Sequence, residues 1–315
     1  MHGALLVDKP SGPTSHDIVA FARRALDTRS IGHTGTLDPL ATGLLVLLVG
    51  HATRLARFLV TDEKEYIADV RLGISTPTYD AQSLGEAMRE AGGATREVQV
   101  TTEQIRAVLP DFLGTFPQLP PAYSAKKVDG ERAYKKARKK EDVDLKPVEV
   151  TVRELELLDR GTEDPGTEDQ GPSDQGLIRL RIVCTAGFYV RSLAQDLGQL
   201  LGCGAHLEAL RRTRAGQFHL ADALTLDALE KTGPGALVDL NTLLPGLPAV
   251  TLTDEGLRRA LNGNTLAPAH LDPPLAAGAA DRKALNFRVL DGSGRLLSVA
   301  ESRADGLLHP LLVLR

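Results

Sequence analysis

The sequence predicts a mixed α/β unit followed by a small β domain, and three observations carry that expectation. Strand-like and helix-like patterns alternate at the N-terminal end, period-two alternation takes over from Tyr66, and Pro245-Gly246-Leu247-Pro248 breaks the chain before a hairpin pattern. At 315 residues the chain outgrows what one hydrophobic core usually serves, so a large unit, 1–245, and a smaller one, 246–315, are expected.

Ala4-Leu5-Leu6-Val7 opens as a strand, and Asp8-Lys9-Pro10-Ser11-Gly12 turns the chain. Ser15 is placed to cap a helix in which Ile18, Ala22, Ala25 and Leu26 recur at helical spacing to about Asp27. Leu44 to Val49 reads as a strand buried on both faces, and Leu55, Ala56, Phe58 and Leu59 as a short helix before Thr61-Asp62-Glu63. Next, Tyr66, Ala68, Val70 and Leu72 share an inward face while Glu65, Asp69 and Arg71 point the other way. Thr101 and Gln104 form a capping box for a helix through Leu109 that Pro110 ends. Val148, Val150 and Val152, then Ile178, Leu180 and Ile182, mark two amphipathic strands. Between them, 161–176 repeats GTED with almost nothing to bury and predicts a mobile acidic hairpin tip or a disordered insertion, without chemistry. Val190, Leu193, Ala194, Leu197, Leu200 and Leu201 describe an amphipathic helix, and Phe287–Leu290 and Arg295–Val299 flank the turn at Asp291-Gly292-Ser293-Gly294.

Composition excludes several classes. Hydrophobic residues make up 42% and charged residues 25%, and the longest apolar run, Leu44 to Val49, is too short to span a bilayer. No signal-peptide pattern opens the chain, so a cytoplasmic location is expected. Cys184 and Cys203 form no CxxC and read as reduced thiols, and the nucleotide, dinucleotide and HExxH fingerprints are lacking, so neither cofactor nor metal is expected. The net charge of −4 conceals an asymmetry: 126–140 holds eight basic against two acidic residues, and 154–174 eight acidic against one basic. A local +6 interleaved with Tyr134, just after Tyr123, fits an anionic polymer better than a plain solvated face.

The segment Gly32-His33-Thr34-Gly35-Thr36-Leu37-Asp38-Pro39-Leu40-Ala41-Thr42-Gly43 carries the chemistry. Pro39 biases Asp38 toward an extended or turn conformation, and Gly32, Gly35 and Gly43 permit close approach by a backbone or a substrate. On local chemistry two readings stay open, a nucleophilic carboxylate and an Asp that accepts backbone hydrogen bonds in a turn. This segment and the run after it resemble the catalytic motif of the TruB family of tRNA pseudouridine synthases, which isomerise a uridine in the T-loop of tRNA.

The resemblance extends from Leu6-Val7-Asp8-Lys9-Pro10-Ser11-Gly12-Pro13-Thr14-Ser15 through Gly202-Cys203-Gly204-Ala205-His206-Leu207-Glu208-Ala209-Leu210-Arg211-Arg212-Thr213. It implies a largely antiparallel sheet crossed by an active-site cleft, Asp38 as nucleophile, and an Arg191–Asp38 salt bridge. Independently, Arg191 falls in the first turn of its helix, where a cation meets the positive end of the macrodipole at roughly 0.3–1 kcal/mol unless an anion is near. Tyr66, in the family's K-x-Y pattern, would stack on the target base and help remove the final C5 proton. Tyr189 and Leu210 would line the uridine pocket, and His33 would help hold the T-loop open. Pro120-Pro121-Ala122-Tyr123-Ser124-Ala125 resembles the start of the family's RNA-gripping insertion, about 122–146. Backbone contacts are accordingly expected from Lys126, Lys127, Arg132, Lys135, Lys136 and Arg138, with Arg211, Arg212 and Arg214 extending the surface. The C-terminal pattern suggests a small PUA-like β-barrel reaching the tRNA acceptor arm. The implied partner is tRNA alone, with no membrane and no obligatory protein. Two departures stand out, the GTED insertion and Ser83 where the family often has glycine three residues after Asp80.

Overall fold

The computed structural model describes residues 1–90, 99–124, 126–128, 131–133, 136, 145–158, 176–274 and 285–314. Its strands are β1 (Gly3–Lys9), β2 (Ile31–His33), β3 (Thr42–Val49), β4 (Lys64–Leu72), β5 (Gly114–Gln118), β6 (Lys127–Val128), β7 (Glu131–Arg132) and β8 (Val148–Leu158). They continue as β9 (Leu177–Cys184), β10 (Ala205–Ala215), β11 (Phe218–His219), β12 (Val238–Asp239), β13 (Ala249–Thr251), β14 (Asn286–Leu290), β15 (Leu296–Ser302) and β16 (Leu308–Val313). Helices are α1 (Ser15–Ala25), α2 (Ala56–Leu59), α3 (Leu84–Glu90), α4 (Thr102–Val108), α5 (Val190–Leu200), α6 (Leu226–Thr232) and α7 (Asp254–Leu261).

A ten-stranded sheet in the order β12-β1-β3-β10-β4-β9-β8-β5 forms the frame, with β2 added to β3 and β11 to β10. Every strand pairing described within this sheet is antiparallel except β3 with β10, which meet only at Arg211↔Thr42 and Arg212↔Gly43. The sheet is therefore two antiparallel halves joined at a short parallel seam. Gly43 makes the seam possible: its φ is +93°, and a Cβ there would lie 2.4 Å from the Arg212 carbonyl oxygen.

Burial explains the apolar patterns. One face of the sheet packs against α1, α4, α5 and α6 through Ile18, Ala22, Ile105, Leu193, Leu197 and Leu229. On the other face Leu6, Leu44, Val46 and Leu48 meet Leu55, Leu59, Phe218 and Leu243, and Leu296, Val299 and Leu314 of the C-terminal sheet. Because β3 is covered on both sides, it reads as an unbroken apolar run. The second face of β4, β8 and β9 lacks that cover, so it alternates and carries ion pairs instead, Arg179 with Asp69 and Arg181 with Glu65 and Glu154.

The Thr101–Gln104 capping box forms as the spacing predicts. Ser15 does not cap α1; Thr14 does, with Asp17 completing the box, because the Ser15 hydroxyl is occupied with Leu37, accepting from its N–H at 2.8 Å and donating to its carbonyl at 2.9 Å. The strands flanking the acidic GTED segment pair with each other, β8 against β9, while 159–175 themselves lie outside the described residues. At the C-terminal end the described residues give an open four-stranded sheet, β13-β14-β15-β16, whose outer strands β13 and β16 do not pair, rather than a closed barrel. The Asp291 turn joins β14 and β15 as an antiparallel hairpin. No helix among the described residues is long and apolar enough to cross a membrane.

Gly43→Ala places a methyl group against the Arg212 backbone in a left-handed conformation, and is expected to lower unfolding free energy by roughly 1–3 kcal/mol. Denaturant unfolding checks this, and an unchanged midpoint would contradict the seam's close packing.

Candidate active site

Three elements pin the Asp38 loop. From the end of β1, the fully buried Lys9 donates to the carbonyls of Pro39 at 3.2 Å and Ala41 at 2.7 Å. From the start of α1, Ser15 holds Leu37, the residue before the carboxylate. From β10, Arg212 donates to the carbonyls of Gly35 at 3.1 Å and Leu44 at 2.7 Å. Burial pushes the Lys9 amine down to about 8, against the opposing pull of Asp38. Of the three loop glycines, Gly43 alone would set an added Cβ against backbone at close range; nothing crowds Gly32, and a Cβ on Gly35 would meet the Arg212 side chain at an ordinary 3.5 Å.

Across the cleft, α5 starts at Val190 with Tyr189 at the cap position, where its side chain makes no capping bond. Gln118, at the end of β5, replaces it, accepting from the Tyr189 N–H at 2.8 Å and donating to its carbonyl at 3.0 Å. This places Arg191 over the loop, with Nε 2.9 Å from Asp38 Oδ2 and Nη1 3.3 Å from Asp80 Oδ2. The Nε–H has no aligned acceptor, so the Asp38 contact is electrostatic rather than a well-directed hydrogen bond. Nη1 and Nη2 also donate to the carbonyls of Thr78 and Tyr123, each at 3.1 Å. The two anions meet the need set by a cation at a helix start.

The carboxylates differ in access. The Asp38 side chain is 39% exposed and that of Asp80 only 1%. Enclosure by the cleft raises Asp38 above the ordinary carboxylate range, Arg191 opposes the rise, and the Asp80 charge adds to it. Asp80 sits in a turn where Tyr79 adopts φ +62°, and Thr78 donates to Asp80 Oδ1 at 2.6 Å. Ser83, standing where glycine was expected, closes this turn: its Oγ accepts from the Thr78 N–H at 3.1 Å.

A cavity of about 410 Å³ opens above the pair, lined by Asp38, Tyr66, Tyr189, Arg191, Leu210 and Arg212 among others. Leu210 and Phe188 give it apolar wall, and burial raises both Tyr66 and Tyr189 above the ordinary phenol range. His33 is outside the lining, although its neighbour Thr34 belongs to it; burial holds the His33 imidazole below its usual range. Among the described residues no group of His, Cys, Asp or Glu is arranged to hold a metal ion. The arrangement presents one accessible carboxylate, charge-compensated from behind, to a planar guest held between apolar and aromatic walls.

Of the basic insertion, Lys126 lines the cavity and donates to the Lys146 carbonyl at 2.8 Å. Lys127 and Arg132 are opposed in the β6–β7 hairpin, and Lys136 is in a helical turn. Lys135 and Arg138 lie outside the described residues. The expectation that Arg212 extends an open RNA surface is corrected. Arg212 is 2% exposed because it points inward to brace the loop, whereas Arg211 pairs with Asp8 at 2.8 Å and keeps its side chain partly exposed. Period-two spacing held the signal, since Arg212 shares a strand face with the pocket residue Leu210. Asp80 and Lys9 were missed; a strand-end Lys before Pro and an Asp before a short turn have no distinctive pattern.

The chain matches the family model described as TruB family pseudouridylate synthase (N terminal domain) over residues 23–190, and that of the tRNA pseudouridylate synthase B C-terminal domain over 191–234. It is 41% identical over 319 residues to tRNA pseudouridine synthase B of Solibacter usitatus, covering 100% of both chains. It is 43% identical over 280 residues to the protein of the same name from Ralstonia nicotianae, covering 88% of this chain and 84% of that one. Among solved structures, one titled as an H/ACA RNP bound to a substrate RNA containing 2'-deoxyuridine shares the fold, with TM-score 0.71, 23% identity, and coverage of 99% of this chain and 85% of that one. A Cbf5-Nop10-Gar1 complex gives TM-score 0.68 and 26% identity over 95% of this chain and 78% of that one.

Because the Asp80 charge raises Asp38, Asp80→Asn is expected to move the Asp38 titration to lower pH, and Arg191→Gln to move it to higher pH. Carboxyl NMR of the folded variants reads both shifts; opposite signs would refute this electrostatic account.

Proposed function

The chain belongs to the TruB family of pseudouridylate synthases, and we infer that it isomerises uridine to pseudouridine in the T-loop of tRNA, with Asp38 as the central catalytic group. The observation that carries this reading is the Asp38–Arg191 pair at the base of a cavity walled by Tyr66, Tyr189 and Leu210. The large unit, 1–245, would hold the reaction, and 246–315 would add an RNA-binding surface toward the acceptor arm.

The target uridine must leave its stack, at a few kcal/mol, and the apolar and aromatic walls recover that by stacking. Either route open to the carboxylate, attack on C1′ or removal of a ribose proton to give a glycal, requires Asp38 ionised, and Arg191 favours that form. The N1–C1′ bond breaks with its electron pair leaving on the base, the base turns within the walls, and C5 bonds to C1′ as the Asp38 oxygen leaves that carbon or, on the glycal route, as Asp38 returns the ribose proton. The proton on C5 then passes to the Tyr66 oxygen and from there to water; its C–H pair restores the C5–C6 double bond, the C6–N1 pair moves onto N1, and N1 takes a proton from water. Reactant and product have the same atoms, so no outside oxidant or reductant enters. Lys126, Lys127, Arg132, Lys135, Lys136 and Arg138 would hold phosphates of the bound tRNA, and His33 would meet the opened T-loop.

Purified protein with an unmodified tRNA transcript alone is expected to place pseudouridine at one T-loop position, mapped by nucleotide. Formation only when a guide RNA is supplied would overturn the reading. Asp38→Asn is expected to reduce single-turnover formation by at least about 10³-fold while tRNA binding persists. Replacing Lys135, Lys136 and Arg138 by Gln is expected to leave that rate at saturation intact and flatten the salt dependence of binding, by roughly 0.7–0.9 in log–log slope for each phosphate no longer neutralised.

A further inference from the structure

Arg212 is a nearly fully buried cation, 2% exposed, and among the described residues no carboxylate lies within ion-pair distance of it. An uncompensated buried charge is expensive, by several kcal/mol, and two backbone carbonyls repay only part of that. Its neighbours show where the charge is used. In the antiparallel pairing of β10 with β4, Arg212 is directly opposite Tyr66, two residues from the Leu210↔Ala68 pair, so both side chains stand on the cavity face. The guanidinium therefore stands beside the Tyr66 ring on this face, while Nε and Nη2 are tied to the carbonyls of Leu44 and Gly35 and cannot swing away.

We propose that Arg212 is a positioning residue for Tyr66, fixing the phenol over the cavity and setting a permanent positive charge against its oxygen. The proposal rests on the reading above that Tyr66 takes the C5 proton, for which the phenol must be ionised. Charged and titratable groups face Tyr66 from every side: Arg212 from β10, Cys184 from β9, Asp38 from its loop, and Lys64 two residues along β4. Burial disfavours the phenolate, and Cys184 and Asp38 are or become anions that oppose it further; Arg212 pulls the other way. Lys64 cannot replace it, since its amine is turned to the carbonyls of Val60 and Asp62 and burial, with Arg212 adding to it, pushes it down to about 8.

The test follows the Cζ resonances of labelled tyrosine through a pH titration of the whole protein, the Tyr66→Phe variant assigning one of five. In Arg212→Gln the Tyr66 midpoint is expected to rise by about 1–3 pH units, and in Arg212→Lys by less, because the shorter amine keeps its charge but loses reach. Should the Gln variant not fold, the Lys variant decides by the same sign. An unmoved Tyr66 midpoint, with product formation lowered equally at every pH, overturns the proposal and leaves Arg212 as a brace of the loop. A raised midpoint with the rising limb of the single-turnover pH profile raised alongside supports it fully. A raised midpoint with an unmoved profile supports the placement of Arg212 and overturns Tyr66 as the proton acceptor.

Discussion

The Arg191 guanidinium, buried between one open and one closed carboxylate, ties together the loop after β2, the turn after β4 and the start of α5. These segments are distant in sequence and converge only through the sheet. A guanidinium in such a place stabilises two anions that would otherwise repel each other, and removing one partner of a buried pair typically costs about 3–5 kcal/mol. The asymmetry matters for chemistry. Asp80, sealed away, has no route to a substrate and serves to aim Arg191, whereas Asp38 keeps an open side toward the cavity. The same carboxyl that faces the cavity is held from behind by a permanent positive charge.

Around this pair the fold supplies stiffness. The loop bearing Asp38 is fastened by Lys9, Ser15 and Arg212 from three different elements, so its carbonyls are satisfied where water is scarce. A reactive group carried on a loop acquires the precision of the sheet when its neighbours are pinned in this way. The short parallel seam between β3 and β10 brings Gly43 against the Arg212 backbone, which lets that arginine reach both the loop and Tyr66. The cleft thus opens where the two antiparallel halves of the sheet meet.

Gln118 links this machinery to the segment that precedes the basic insertion. Its amide forms two hydrogen bonds with the Tyr189 backbone, and the carbonyl of Tyr123, five residues later, accepts from Arg191. The root of the insertion therefore shares hydrogen bonds with the start of α5. The wall residue Tyr189 and the cation Arg191 take their positions from the same few bonds.

Much was legible in the sequence by itself. Periodicity located β3, β4, β8, β9 and α5, because burial on one face or two writes itself into alternation or an unbroken apolar run, and the Thr101–Gln104 pattern marked a helix start. The Asp38 motif and its likeness to a family identified the central carboxylate and its arginine partner. What only tertiary structure decided were the residues whose roles depend on atoms far along the chain. Ser15 has the composition of a cap but spends its hydroxyl on Leu37; Arg212 sits in a basic cluster yet turns inward; Lys9 and Asp80 look like ordinary polar residues until the sheet closes over them. Local propensity reports what a residue prefers next to its neighbours, whereas the state of a buried charge is fixed by which distant groups surround it, and that is known only once the strands are in register.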